Sequence, residues 1–284
     1  MASSAALTFF SKQPIECPVC EEKVFREEMR TGRGRQIAGD LTRELRRNYE
    51  VSKQFGEVYP LIYPVTVCPH CFYAAYPEDF SEVPDDCIDV LRDDTMRRTE
   101  FLADIFPSLD FTEPRNLEEG VASYVFATLC YEHFPKQFSP IFKAGVSQLR
   151  AAWLAGDLHR KQPAENFDFL AAVFYRKARY YYSRAVEGEQ DGSQSLSGAK
   201  HLGPDLDKNY GYDGVLYMTG LLEFQYGPRS DPAARHVALD RAKRTVARIF
   251  GMGKASKNKP AAILDNARDV YEAISKELEE EGGA

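Results

Sequence analysis

From Leu117 onward apolar residues recur every three or four positions, the period of helices with one buried face. Leu117, Val121, Tyr124, Val125 and Thr128 predict a helix over 117–134. Phe138, Ile141, Phe142, Gly145, Leu149, Ala152 and Trp153 predict another over 138–155. The break at 135–140, bounded by Pro135 and Pro140, is short enough to fold the two back to back. Further helices are predicted over 165–186, 212–226, 232–250 and 261–281. A more polar helix is predicted over 85–105, ended by Pro107. Gly, Ser and Asp dominate 188–209, which reads as a surface loop, and 251–260 reads as a basic, glycine-containing loop. The tail 277–284 is expected to fray.

Before Pro84 the pattern is different. Tyr59, Ile62, Tyr63, Val65 and Val67 give 58–67 the composition of a strand or strand pair, broken by Pro60 and Pro64. Thr31-Gly32-Arg33-Gly34-Arg35 predicts a flexible turn. After it, Asp40 or Thr42 is placed to cap a helix through Lys53, with Leu41, Leu45 and Tyr49 on one face. The change of character divides the chain into two expected domains, 1–84 and 85–284.

Antiparallel helices with short connections suggest stacked pairs, each covered by its neighbour. Ala178-x3-Tyr182-x2-Ala185 meets the small-aromatic-small pattern of a tetratricopeptide second helix. Ala267-x3-Tyr271-x2-Ile274 meets it in part, and Gly220 suits the small position of a first helix. No clean period recurs, and ordinary helix packing supplies the same stripe. The expected fold class is mainly α: a small zinc-ribbon-like N-terminal module plus an α-helical, tetratricopeptide-like repeat domain.

The chemistry is concentrated in two knuckles, Cys17-Pro18-Val19-Cys20 and Cys68-Pro69-His70-Cys71. A Cys-x-x-Cys turn aims two sulfurs at one point, and two such turns complete the four-thiolate tetrahedron of structural Zn²⁺. Cys17, Cys20, Cys68 and Cys71 are therefore the expected ligands of one structural zinc ion per chain. The 47 residues between Cys20 and Cys68 exceed the usual ribbon gap of about 15–20, so an inserted element lies between them. Glu21 and Phe72 also stand where a ribbon often has glycine. A redox pair would need a βαβ context that is missing here. His70 lies inside a knuckle, but four better ligands are present. Of the other thiols, Cys87 and Cys130, the second falls in an apolar helical pattern and reads as a core residue.

The insertion 26–53 carries eight basic and five acidic residues, a local +3 in a chain of −7. Arg30, Arg33, Arg35, Arg43, Arg46 and Arg47 are its candidate anion- or partner-binding residues. Their interleaved acids, Glu27, Glu28, Glu44 and Glu50, argue for a solvated face. With 44% hydrophobic and 28% charged residues, the chain is expected to be soluble and globular. It has no apolar run of membrane-spanning length and no secretory signal pattern, and reduced thiols fit a cytoplasmic protein.

Nucleotide-binding glycine loops, a G-x-S-x-G elbow and H-E-x-x-H are missing. Glu132-His133 point about 100° apart on a helix, and Asp205-x-Asp207-x-Asn209 lacks the later ligands of a calcium loop.

The order of features resembles the bacterial domain of unknown function 2225 family. The resemblance rests on the first knuckle, the basic insertion, Tyr59-Pro60-Leu61-Ile62-Tyr63-Pro64-Val65-Thr66-Val67, and the second knuckle with Phe72-Tyr73-Ala74-Ala75. It implies a bacterial cytosolic protein in which the four knuckle cysteines are the shared motif, and it carries over no enzyme activity. The expected function is a non-enzymatic zinc-binding scaffold or adaptor whose helical surface takes a protein or peptide partner. Nucleic-acid binding through the basic insertion beside the zinc module is the alternative, and an unrecognised enzyme a third.

Overall fold

The computed structural model describes residues 7–250 and 261–282, so the basic loop at 251–260 lies outside the described residues. The chain is mainly helical, and among the described residues its small antiparallel hairpins lie before Tyr76. Strand β1 (Thr8–Phe10) pairs with β4 (Glu27–Met29), enclosing the hairpin of β2 (Ile15–Glu16) and β3 (Lys23–Val24). A second hairpin joins β5 (Ala38–Leu41) to β6 (Arg47–Tyr49), and a third joins β7 (Thr66–Val67) to β8 (Ala74–Ala75).

The β5–β6 hairpin replaces the helix expected after Asp40. Leu41, Leu45 and Tyr49 are four apart, and that even spacing fits a strand face as well as a helix face. The turn decides between them. Thr42 N–H donates to the Arg46 carbonyl at 2.8 Å, and the Thr42 hydroxyl accepts from Arg46 N–H at 3.0 Å. Leu45 takes a left-handed φ of 60° at the tip and is wholly buried. At 58–67 the two prolines leave a short 3₁₀ turn (Pro60–Ile62) before the two-residue β7, so most of the expected strand is not formed.

The helices are α1 (Pro77–Phe80), α2 (Asp85–Asp93), α3 (Thr95–Phe101), α4 (Leu117–Tyr131), α5 (Pro140–Lys161), α6 (Phe167–Asp191), α7 (Gly211–Tyr226), α8 (Pro232–Ala247) and α9 (Ala261–Gly282). The polar helix expected over 85–105 is divided at Asp94 into α2 and α3. Helix α9 runs through most of the tail expected to fray. Asn116 starts α4 with a reciprocal capping box: its side chain accepts from Glu118 N–H at 2.6 Å, and Glu119 accepts from Asn116 N–H at 3.0 Å. Every residue of α4 except Glu118 is buried, which makes it the central helix of the fold.

From α4 to α9 each helix packs on its chain neighbour, and α4 also packs on β7, β8 and the 3₁₀ turn. Close approach is set by small residues. A methyl at Gly120 would stand 2.9 Å from Leu154 of α5, and one at Gly220 would stand 2.2 Å from Val246 of α8. Ala178, Tyr182 and Ala185 are all buried on α6, with Tyr182 edge-on to Phe142 of α5. Packing is continuous across Pro84, because one core runs from Cys17 to Ile274. Buried polar bonds reinforce that junction. Asp79 of α1 accepts from Tyr131 of α4 at 2.6 Å and from Lys143 of α5 at 2.5 Å.

Of the surface loop expected over 188–209, the first four residues belong to α6, and the remainder is a loop anchored to the body at Pro204 and Asp205. Asp205 is buried and accepts the Arg47 amide at 2.6 Å, while buried Arg150 donates to the Pro204 carbonyl at 2.8 Å.

Candidate metal centre

Both knuckles are built alike. Cys17 N–H donates to the Glu22 carbonyl at 2.9 Å, and Glu21 N–H donates back to the Cys17 carbonyl at 2.8 Å. In the second, Cys68 N–H donates to Tyr73 at 2.8 Å, and Phe72 N–H donates to Cys68 at 3.0 Å. Each turn closes with a left-handed residue directly after its second cysteine, Glu21 at φ 64° and Phe72 at φ 53°. These are the two places where the sequence lacks glycine, and the backbone still adopts the glycine conformation. At Phe72 packing offsets that strain: its ring stacks on Phe126 at 4.8 Å and meets Phe111 edge-on at 5.7 Å.

The four sulfurs converge from the two hairpins, all within 4.8 Å of one another. Cys17 Sγ lies 3.7 Å from Cys71 Sγ, and Cys20 Sγ lies 3.5 Å from Cys68 Sγ. None is in a disulfide. A tetrahedron with metal–sulfur bonds of about 2.3 Å has edges of about 3.8 Å, so the arrangement fits a divalent metal held by cysteine alone. Crowding also disturbs the thiols' own acidity. Hydrogen bonding from Cys17 draws Cys68 down to about 2, and the same bond pushes Cys17 up to about 12. Cys71 is pushed upward by its bond to Cys17.

Two arginines that the sequence reading did not single out brace the knuckle backbones. Arg92 of α2 donates to the Val19 carbonyl at 3.0 Å. Arg98 of α3 is wholly buried and donates to the Cys71 carbonyl at 3.3 Å and to Thr95 at 3.0 Å. Its nearest carboxylate is Asp94, at 3.9 Å. A buried guanidinium beside a cysteine cluster offsets the negative charge that four thiolates leave around a divalent ion.

Cys130 is a core thiol as expected. Its sulfur accepts from Ala74 N–H at 3.4 Å, and burial pushes its pKa up to about 11. Cys87 donates to the His133 carbonyl at 3.1 Å.

The six arginines of the insertion do not meet on one surface. Arg46 is forked onto buried Asp157, and Arg47 pairs with Asp207 at 3.0 Å. Arg35 is buried over the Phe55 ring, Arg30 lies over Phe9, and Arg43 lies over Phe224. Arg33 is exposed at the tip of the glycine turn, at φ 55°. Glu44, from the same insertion, accepts from Trp153 of α5 and from Tyr175 of α6, and burial raises its pKa above the usual carboxylate value. The insertion therefore fastens the metal module to the helices. No helix among the described residues is long and apolar enough to cross a membrane.

Comparison with known proteins places the chain among bacterial relatives. A protein from Borreliella burgdorferi strain B31, described as an uncharacterized protein, is 42% identical over 272 residues, covering 96% of this chain and 98% of the relative. No solved structure matches the chain. The family model described as "Uncharacterized protein conserved in bacteria (DUF2225)" matches residues 10–274, a span that holds the four cysteines and the helical stack through Ile274. This chain belongs to that bacterial family.

Proposed function

We propose that the four cysteines hold about one structural Zn²⁺ per chain, and that the protein works in the cytoplasm as a binding scaffold rather than as an enzyme. The observation that carries the proposal is the closed donor set. With Cys17, Cys20, Cys68 and Cys71 all turned to one point, the protein supplies every position of a tetrahedral ion and leaves none for water or substrate. Such an ion contributes folding free energy and fixes geometry. What it fixes is a run of helices, stacked in the manner of tetratricopeptide pairs, whose outer faces are available to a protein or peptide partner.

Nucleic-acid binding through the basic insertion has less support. Arg46 and Arg47 are already paired with Asp157 and Asp207, and Arg35 is buried. The scaffold is tested by affinity capture from the native cell, with the Cys17→Ser/Cys68→Ser protein as control. A stoichiometric protein partner retained by the wild type and lost by the control is expected. Recovery of nucleic acid without a protein partner, or of no partner at all, would contradict it.

A further inference from the structure

A broad concavity lies between α6 and α8, each packed on α7, and encloses about 1180 Å³. Five arginines line it: Arg176, Arg179 and Arg184 from α6, Arg229 from the turn after α7, and Arg241 from α8. Two acids line the groove with them, Glu187 and Glu223, and Glu277, held by Arg235, lies near Arg229 outside the lining. Both lining acids are already engaged. Arg179 holds Glu223 at 2.9 Å, and Arg184 and Arg241 hold Glu187 at 3.1 and 3.0 Å. Arg176 is exposed, with no carboxylate within ion-pair distance among the described residues, and exposed Arg229 donates to the Phe224 carbonyl. The groove thus has an excess of three positive charges, while the chain as a whole carries −7.

The rest of the lining is mostly small or apolar, with Ser183, Gln225 and Ser230 as its uncharged polar residues. Ala172, Ala234 and Ala238 leave room along the walls, and Tyr180 and Val237 stand 56% and 61% exposed beside them. Guanidinium forks recognise carboxylates in pairs, and exposed aromatic and branched side chains want apolar partners. A continuous phosphate backbone would have to pass Glu187 and Glu223 and the acidic remainder of the chain. A peptide can place its carboxylates singly at Arg176 and Arg229 and its apolar residues against Tyr180 and Val237.

We propose that this groove is the partner-binding site and that its occupant is an acidic peptide segment with interspersed apolar residues. This rests on the scaffold function proposed above and names its partner's chemistry. The test is fluorescence anisotropy on the zinc-loaded full chain with a fluorescein-labelled peptide of alternating glutamate and leucine. A glutamine-for-glutamate version and oligothymidylate serve as comparison probes. The glutamate peptide should bind, weaken as salt rises, and exceed the glutamine peptide by at least about tenfold. Arg176→Glu/Arg229→Glu, at two exposed positions, should lower its affinity by a similar factor, and Tyr180→Ala should lower it several-fold, with helix content unchanged. Equal binding of the two peptides, indifference to Arg176→Glu/Arg229→Glu, or tighter binding of oligothymidylate would overturn the assignment. If the partner captured from the native cell is still retained by Arg176→Glu/Arg229→Glu, the groove assignment falls while the scaffold function stands. If neither peptide nor native partner binds, both fall.

Discussion

Arg98 gives the sharpest test of how the metal centre is supported. Replacing it with Met keeps most of the buried apolar stem and removes the guanidinium. The Cys71 carbonyl then loses its donor at 3.3 Å, and Thr95 loses its bond at 3.0 Å. Asp94 is not stranded, because Arg97 stays 3.5 Å away and His133 3.7 Å away. The main loss is therefore one buried carbonyl left unpaired, about 1–3 kcal/mol. Part of it falls on the metal-bound state, where the positive charge also balances the thiolates. Groups that orient metal ligands typically change affinity by about 10–100-fold, or ~1.4–2.7 kcal/mol, which agrees with the carbonyl's cost. Zinc affinity measured by chelator competition should fall by about that factor in Arg98→Met. It should change by less than about twofold in Arg97→Met, whose side chain is 46% exposed. Equal zinc affinity in wild type and Arg98→Met, with both folded, would refute this role for Arg98.

Alkali should unfold the protein through its half-buried phenols. Burial pushes Tyr63 and Tyr226 up to about 12 from 10.0, so their contribution to stability is intact below pH 10 and is lost as pH rises through about 12. Tyrosinate absorbance and circular dichroism should change together in that window, and free titration near pH 10 without unfolding would contradict the burial. Arg235→Met should destabilise the last three helices by about 2–4 kcal/mol in urea unfolding. Buried Arg235 holds the Glu223 and Phe224 carbonyls at 3.1 and 2.9 Å and Glu277 at 2.8 Å. Arg241→Met, at a side chain 64% exposed, should cost under about 1 kcal/mol.

The four-cysteine cluster was legible because two residues between cysteines is a local, covalent constraint that needs no knowledge of the fold. Even the missing glycines told the truth about the backbone: Glu21 and Phe72 mark the left-handed turn residues. The helices from 117 onward were legible because their apolar period is long and repeated. The β5–β6 hairpin was not, since a spacing of four satisfies both periods and only the Thr42–Arg46 turn and the burial of Leu45 choose between them. Arg92 and Arg98 were hidden for another reason. On short, polar helices they look like solvated charge, and their targets, Val19 and Cys71, lie 73 and 27 residues away in the chain. Composition marked the loop after α6 but not its anchor, because Asp205 is polar by type yet buried by its bond to the Arg47 amide.

The central claim is that Cys17, Cys20, Cys68 and Cys71 hold zinc, and elemental analysis of protein purified without chelator tests it most directly. The wild type is predicted to carry about one zinc per chain and Cys17→Ser/Cys68→Ser close to none. Wild-type protein free of zinc, or a double variant that keeps its full zinc content, would contradict the account.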